Sequence, residues 1–205
     1  MTRALILGLL LVGPAAAAQD YFTDEVRTSP TPAWLPRGIA VGVGVAHETL
    51  SVPSVRLHWA FTITQQRVDA LIATFELGGA HGVSFTERAG LYHRSTMTSL
   101  DNGVALLGVG YRGDRGKWNW GLHVGGGPML YRATYERTGD AALDLPDESK
   151  TIGWLEGRVQ LGYRVTQAVA AGVSISFGSG LGAPRAAYAY EYLNGWTFGL
   201  YADWR

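Results

Sequence analysis

Val55 to Ile63 alternates without a break. Val55, Leu57, Trp59, Phe61 and Ile63 share one face of an extended chain, and Ser54, Arg56, His58, Ala60, Thr62 and Thr64 share the other. A segment written this way is a strand with an apolar medium on one side and a polar one on the other. The same period of two recurs in about eight segments along the sequence. No segment beyond the first 18 residues is an apolar run long enough for a spanning helix, so any membrane crossing must use strands. Strands in lipid must in turn close on themselves, because an open edge leaves backbone groups unsatisfied.

The amino end reads as an export signal. Arg3 supplies the positive start, Ala4 to Gly13 an apolar stretch of about ten residues, and Pro14 with Ala15 to Ala18 a small-residue cleavage site before Gln19. Residues 1–18 are therefore expected to be removed. Residues 19–37, with Pro30, Pro32 and Pro36, form a periplasmic linker, and residues 38–205 form one barrel domain. The 17 basic and 17 acidic residues leave no electrostatic footprint for nucleic acid. The absence of cysteine excludes a disulfide scaffold. Many of the 28 glycines fall inside the alternating runs, where they permit the close approach and coiling of a tightly closed sheet.

Seven further strands are read from the pattern: Gly38 to His47, Val68 to Gly79, Gly103 to Arg112, Trp118 to Tyr131, Thr151 to Arg164, Ala168 to Phe177 and Trp196 to Trp204. The connections alternate. Those after the second, fourth and sixth strands are short, the fourth being the charged turn Gly113 to Lys117. Those after the third, fifth and seventh are long: Ala80 to Leu100, Arg132 to Lys150 and Gly178 to Gly195. Sorting of short turns to one end and long loops to the other is the habit of outer-membrane barrels, with the short turns periplasmic. Phe61, Tyr111, Trp118, Tyr163 and Trp204 fall near the short-turn end on the apolar faces and read as a membrane-interface girdle. A fainter outer girdle would hold Phe177 and Trp196 with Tyr188, Tyr190 and Tyr192. Asn194 and Gly195 carry a hairpin signal that would raise the count to ten strands; a bulge in an extended last strand is the preferred reading.

From Gly38 to Arg205 the pattern resembles the small eight-stranded outer-membrane barrels of the OmpA, OmpX and OmpW kind. The last strand, WTFGLYADWR, resembles the aromatic-rich terminal strand by which the assembly machinery recognises such proteins, although it ends in Trp204 and Arg205 rather than a terminal aromatic. The resemblance implies an all-β, eight-stranded, antiparallel up-and-down transmembrane barrel in the outer membrane. It also implies contact with outer-membrane lipid and lipopolysaccharide, delivery by the outer-membrane assembly machinery, a monomer, and loops that face an external ligand.

Candidate chemistry is sparse. Gly108, Gly110 and Gly113 spell GxGxxG, but a charged turn and a strand follow where a dinucleotide site needs a helix. The histidines His47, His58, His81, His93 and His123 show no metal-ligand spacing, and neither metal nor cofactor is expected. His93 with Ser95 invites comparison with outer-membrane lipid A hydrolases, but the segment YHRST lacks the expected local motif and an acidic partner, so no catalytic residue is assigned. The polar faces say more. Arg56, His58, Glu76, Glu156, Arg158, Gln160, Tyr201 and Asp203 would all point into a narrow bore, where charges must be paired; Arg56 and Glu76 are the expected cross-strand pair. A bore of about eight strands is just wide enough for its own side chains. The expected role is a filled, non-enzymatic barrel that is structural, adhesive or partner-binding at the cell surface. The alternatives are a small channel for ions or apolar solutes, a lipid A hydrolase, and a soluble lipocalin-like barrel with an apolar inside.

Overall fold

The computed structural model describes residues 35–46, 50–66, 69–83, 87–89, 94–137, 144–182 and 189–204. The expected signal and most of the linker lie outside these residues. The strands are β1 (Gly38–Ala46), β2 (Leu50–Gln66), β3 (Asp69–Val83), β4 (Glu87–Ala89), β5 (Arg94–Arg115), β6 (Trp118–Tyr135), β7 (Glu148–Arg164), β8 (Val169–Leu181) and β9 (Gly195–Trp204). One antiparallel sheet runs β3-β2-β1-β9-β8-β7-β6-β5, and the pairing of β3 with β5 closes it into a ring of eight. β4 is a short addition that pairs with the outer end of β5. First and last strands meet within the ring, from Gly38 opposite Asp203 to Val45 opposite Trp196. At the short-turn end Arg37, immediately before β1, bonds to the strands on either side of it, donating from its N–H to the His58 carbonyl of β2 at 2.7 Å and accepting from the Trp204 N–H of β9 at 2.8 Å.

The faces follow the period of two. Leu107, Val109, Val124, Val159, Val173 and Leu200 point outward and are about half exposed or more, Leu107 at 70%. Glu76, Glu156, Arg158, Gln160, Ser174 and Ser176 point inward and are buried. That is an apolar outside around an inside whose middle is polar and charged, whereas a soluble lipocalin-like barrel has a polar outside. Trp118 and Tyr163 meet edge to face at 5.4 Å between ring centroids, and Tyr111 packs on Trp120 at the same distance, so the aromatics of the short-turn end form contacting pairs.

Strand ends depart from the sequence reading. β3 and β5 run on as far as Val83 and from Arg94, into the segment read as a long polar connection, and β6, β7 and β8 also extend beyond their expected limits. Towards the long connections the strands persist with a polar outward face, while their inward face carries buried residues such as Leu100, Tyr131 and Ala133, so the apolar-outside pattern reverses. His81, Asp101, Arg132 and Ser149 form such an outward polar row across β3, β5, β6 and β7. The turn after β5 is shorter than expected: Gly113 to Arg115 belong to the strand, and Gly116, with φ of 62°, and Lys117 make the reversal. The turn after β7 is organised by the Thr166 hydroxyl, which accepts from the N–H groups of Ala168 at 3.2 Å and Val169 at 3.0 Å.

Asn194-Gly195 makes neither a hairpin nor a bulge. The chain before it is a single 3-10 turn, η1 (Tyr190–Tyr192), and β9 begins at Gly195. The Asn194 side chain instead accepts from the Gly180 N–H at 2.7 Å, which anchors the entry to β9 and leaves the ring at eight rather than ten. The outer aromatics split for the same reason. Phe177 and Trp196 face outward and pack at 5.1 Å, whereas Tyr192 is buried in the bore and Tyr190 packs against the buried cluster there. Tyr188 lies outside the described residues.

The faces can be checked by introducing a charge. Leu107→Arg should cost about 2 to 4 kcal/mol of folding stability in a bilayer if it falls near the midplane, while the inward Ala60→Asn should cost much less. Urea unfolding in lipid vesicles reads both; equal losses would contradict the assignment of faces.

Candidate functional site: the filled bore

The centre of the bore is a closed electrostatic network drawn from three strands. Arg56 on β2 donates to Glu156 on β7 through two bonds, Nη1 to Oε1 at 2.7 Å and Nη2 to Oε2 at 2.5 Å. Arg158 on β7 donates to Glu76 on β3 in the same fork, Nη1 to Oε1 at 3.1 Å and Nη2 to Oε2 at 2.5 Å. Two further contacts link the pairs: Arg158 Nη2 to Glu156 Oε1 at 3.0 Å and Arg56 Nη1 to Glu76 Oε2 at 3.4 Å. The network holds two guanidiniums and two carboxylates, so its formal charge cancels. Such bidentate geometry is what compensates the desolvation of both ions.

The adjacent-strand pair Arg56–Glu76 is thus the longest of these contacts, and the principal partner of each arginine lies across the bore. The register explains this. Opposite Glu76 on β2 stands His58, not Arg56, and opposite Arg56 on β3 stands Gly78. A Cβ at Gly78 would come within 2.6 Å of Arg56 Cγ, so the missing side chain is the room through which Arg56 leaves its own strand. Gly178 does the same for the Trp154 indole, whose N–H donates to Glu156 Oε2 at 3.4 Å.

Towards the short turns the filling remains polar. His58 Nε2 lies 3.3 Å from Asp203 Oδ1, Tyr201 donates to Asn119 Oδ1 at 2.9 Å, and Gln160 is buried one step along β7 from Arg158. Below them the bore widens into a vestibule of about 310 Å³ walled by Arg37, His58, Ala60, Thr62, Arg112 and Asp203. Towards the long loops the filling changes to apolar. Leu100, Val104, Leu106, Met129, Ile152 and Trp154 form one cluster with Tyr131, Tyr135, Leu145 and the chain around η1. Glu148, 4% exposed, sits within it and accepts from the hydroxyls of Tyr131 at 3.1 Å and Tyr135 at 2.8 Å.

This apolar upper plug is absent from the sequence reading. Its one signal was the writing of the fourth strand, apolar on both faces around Val104 to Leu107. The GxGxxG glycines lie within β5. His93 lies outside the described residues. Among the described residues no group of three His, Asp or Glu side chains is assembled for a metal.

The pairing makes a quantitative test. Removing Glu76 alone leaves Arg158 short of its fork and should cost about 3 to 5 kcal/mol. Replacing Glu76 and Arg158 together with apolar residues should recover much of that loss. A double-mutant cycle should show stronger coupling for Glu76 with Arg158 than for Glu76 with Arg56. The reverse order would contradict the cross-bore pairing.

No protein-family model matches the chain, and no curated protein matches it either. Among solved structures, the outer membrane enzyme PagL is similar over 80% of this chain and 97% of its own, with a TM-score of 0.54 and 14% identity. Ail, the attachment invasion locus protein of Yersinia pestis, is similar over 82% of this chain and 93% of its own, with a TM-score of 0.44 and 10% identity. The N-terminal β-barrel domain of Pseudomonas aeruginosa OprF gives 82%, 94%, 0.39 and 15% for the same four quantities. At such identities the likeness is one of architecture, and the fold of this chain is that of the eight-stranded outer-membrane barrels.

Proposed function

We propose that this chain is a monomeric integral protein of the outer membrane, exported with a cleaved signal, whose bore is filled and whose work is done by the loops on its outer side. The reading is supported above all by the neutral four-residue network of Arg56, Glu76, Glu156 and Arg158 across the bore, with an apolar plug above it. A conducting pore needs mobile water or loosely held charges along its wall. Here the charges are spent on one another, and the outer half of the bore is lined with buried aliphatic and aromatic groups. The role left to such a barrel is structural, adhesive or partner-binding, with lipid and lipopolysaccharide around it and an external ligand at its loops. No catalytic role is proposed, since fold alone does not carry one.

A narrow ion path is the second reading. The vestibule of about 310 Å³ favours it, because it opens the bore from one side as far as His58. Single-channel recording on refolded protein separates the two. The filled reading expects little conductance from the wild type and leakage or instability in Glu76→Gln. Steady ion-selective conductance that Glu76→Gln alters without destabilising the barrel would favour the path.

Orientation is tested independently. With a cysteine at Arg137, between β6 and β7, a membrane-impermeant thiol reagent should label intact cells. A cysteine at Lys117, in the tight turn at the opposite end, should react only after the envelope is broken. Labelling in the opposite sense would invert the barrel.

A further inference from the structure

Between β8 and β9, part of the bore's outer end is covered by chain that belongs to no strand. From Ala189 the backbone makes one 3-10 turn, with N–H to carbonyl bonds from Tyr192 to Ala189 at 3.1 Å and from Leu193 to Tyr190 at 3.2 Å, and joins a ladder only at Gly195. This short piece carries Ala189, Tyr192 and Leu193, all buried, into the apolar cluster of the bore. Tyr192 and Leu193 also wall a cavity of about 60 Å³ whose other walls include Ser54, Arg56, Trp154 and Glu156.

Hydrogen bonds at both of its ends attach it to the wall. Glu148 accepts from the Ala189 N–H at 3.1 Å, with the Tyr131 and Tyr135 hydroxyls on the same carboxylate. At the other end Gly180 donates to the Asn194 side chain and accepts from the Tyr190 hydroxyl, both at 2.7 Å. These are side-chain attachments to the wall. Releasing them breaks no rung of the barrel, and segments held this way open at lower free energy than the ladders around them.

We infer that Ala189 to Asn194 is a lid, latched by Glu148 and Gly180, that covers a partly open chamber in the bore on its outer side. The chamber presents the guanidinium of Arg56, the carboxylate of Glu156 and hydroxyls alongside the apolar walls of Leu100, Val104, Met129 and Leu193. Its volume suits a few waters or a polar solute of similar size. This inference rests on the proposed orientation only for the side to which the lid opens.

The chain contains no cysteine, so one introduced thiol reports cleanly. Ser54→Cys places it in the chamber and Thr62→Cys places it in the vestibule below the charge network. Both are treated with methyl methanethiosulfonate on the refolded full-length barrel in detergent, where membrane orientation plays no part. With the latch intact, Ser54→Cys should react at least about tenfold more slowly than Thr62→Cys. Adding Glu148→Ala should bring the Ser54→Cys rate up about tenfold and leave Thr62→Cys unchanged. Retained heat-modifiable migration shows that the barrel is folded. Should Glu148→Ala fail to fold, the double change Tyr131→Phe with Tyr135→Phe removes two bonds to the latch and should give a smaller rise in the same direction. Rapid reaction of Ser54→Cys with the latch intact, or a rate indifferent to both latch variants, would overturn the lid.

Discussion

Everything in this molecule follows from the ladder between β3 and β5, because it turns an open sheet into a ring. It runs from Asp69 opposite Gly113 to Val83 opposite Ser99, without a shift of register. Once it forms, the barrel strands have no free edge, and every side chain has only two places to go. The outward set meets its surroundings as an apolar band; the inward set must fill a space about eight strands wide. The composition of the strands is a response to that geometry. Large side chains such as Arg56 and Trp154 cross the bore only because glycine stands at 78 and 178.

The bore is solved in two different ways along its length. Its middle is filled by ions that neutralise one another, and its outer half by aliphatic and aromatic packing. The difference matters for rigidity. A network of forked guanidinium–carboxylate bonds tolerates little displacement, since moving one partner strands another charge away from water. The apolar plug has no such constraint except where Glu148 gathers Tyr131, Tyr135 and Ala189. The outer half is therefore where movement is least costly, while the centre is the seal.

The sequence was most legible where an apolar outside and a filled inside impose a period of two. Strand faces from Val55 to Thr62, Val169 to Phe177 and Trp196 to Trp204 are the faces that the barrel shows, whereas a register shift at Ile63 places Thr64, read as inward, opposite the outward Leu71. The strand ends were not legible, because towards the long connections the outward positions His81, Asp101 and Arg132 are as polar as a loop. Within the bore, strand alternation identified which side chains turn inward but not which of them meet. Partners across a barrel depend on stagger and tilt, which no local spacing encodes, so Glu156 could not be read as the main partner of Arg56. Tyr190 and Tyr192 misled for a related reason: aromatics near a barrel rim suggest an interface girdle, and only the 3-10 turn at η1 reveals that they enter the bore.

Fractionation of cells that express the full chain tests most directly whether the outward apolar band lies in lipid. The protein should sediment with the outer membrane, resist extraction by high salt and by alkali, and come into solution only with detergent. Recovery as a soluble periplasmic protein, released by osmotic shock without detergent, would contradict it.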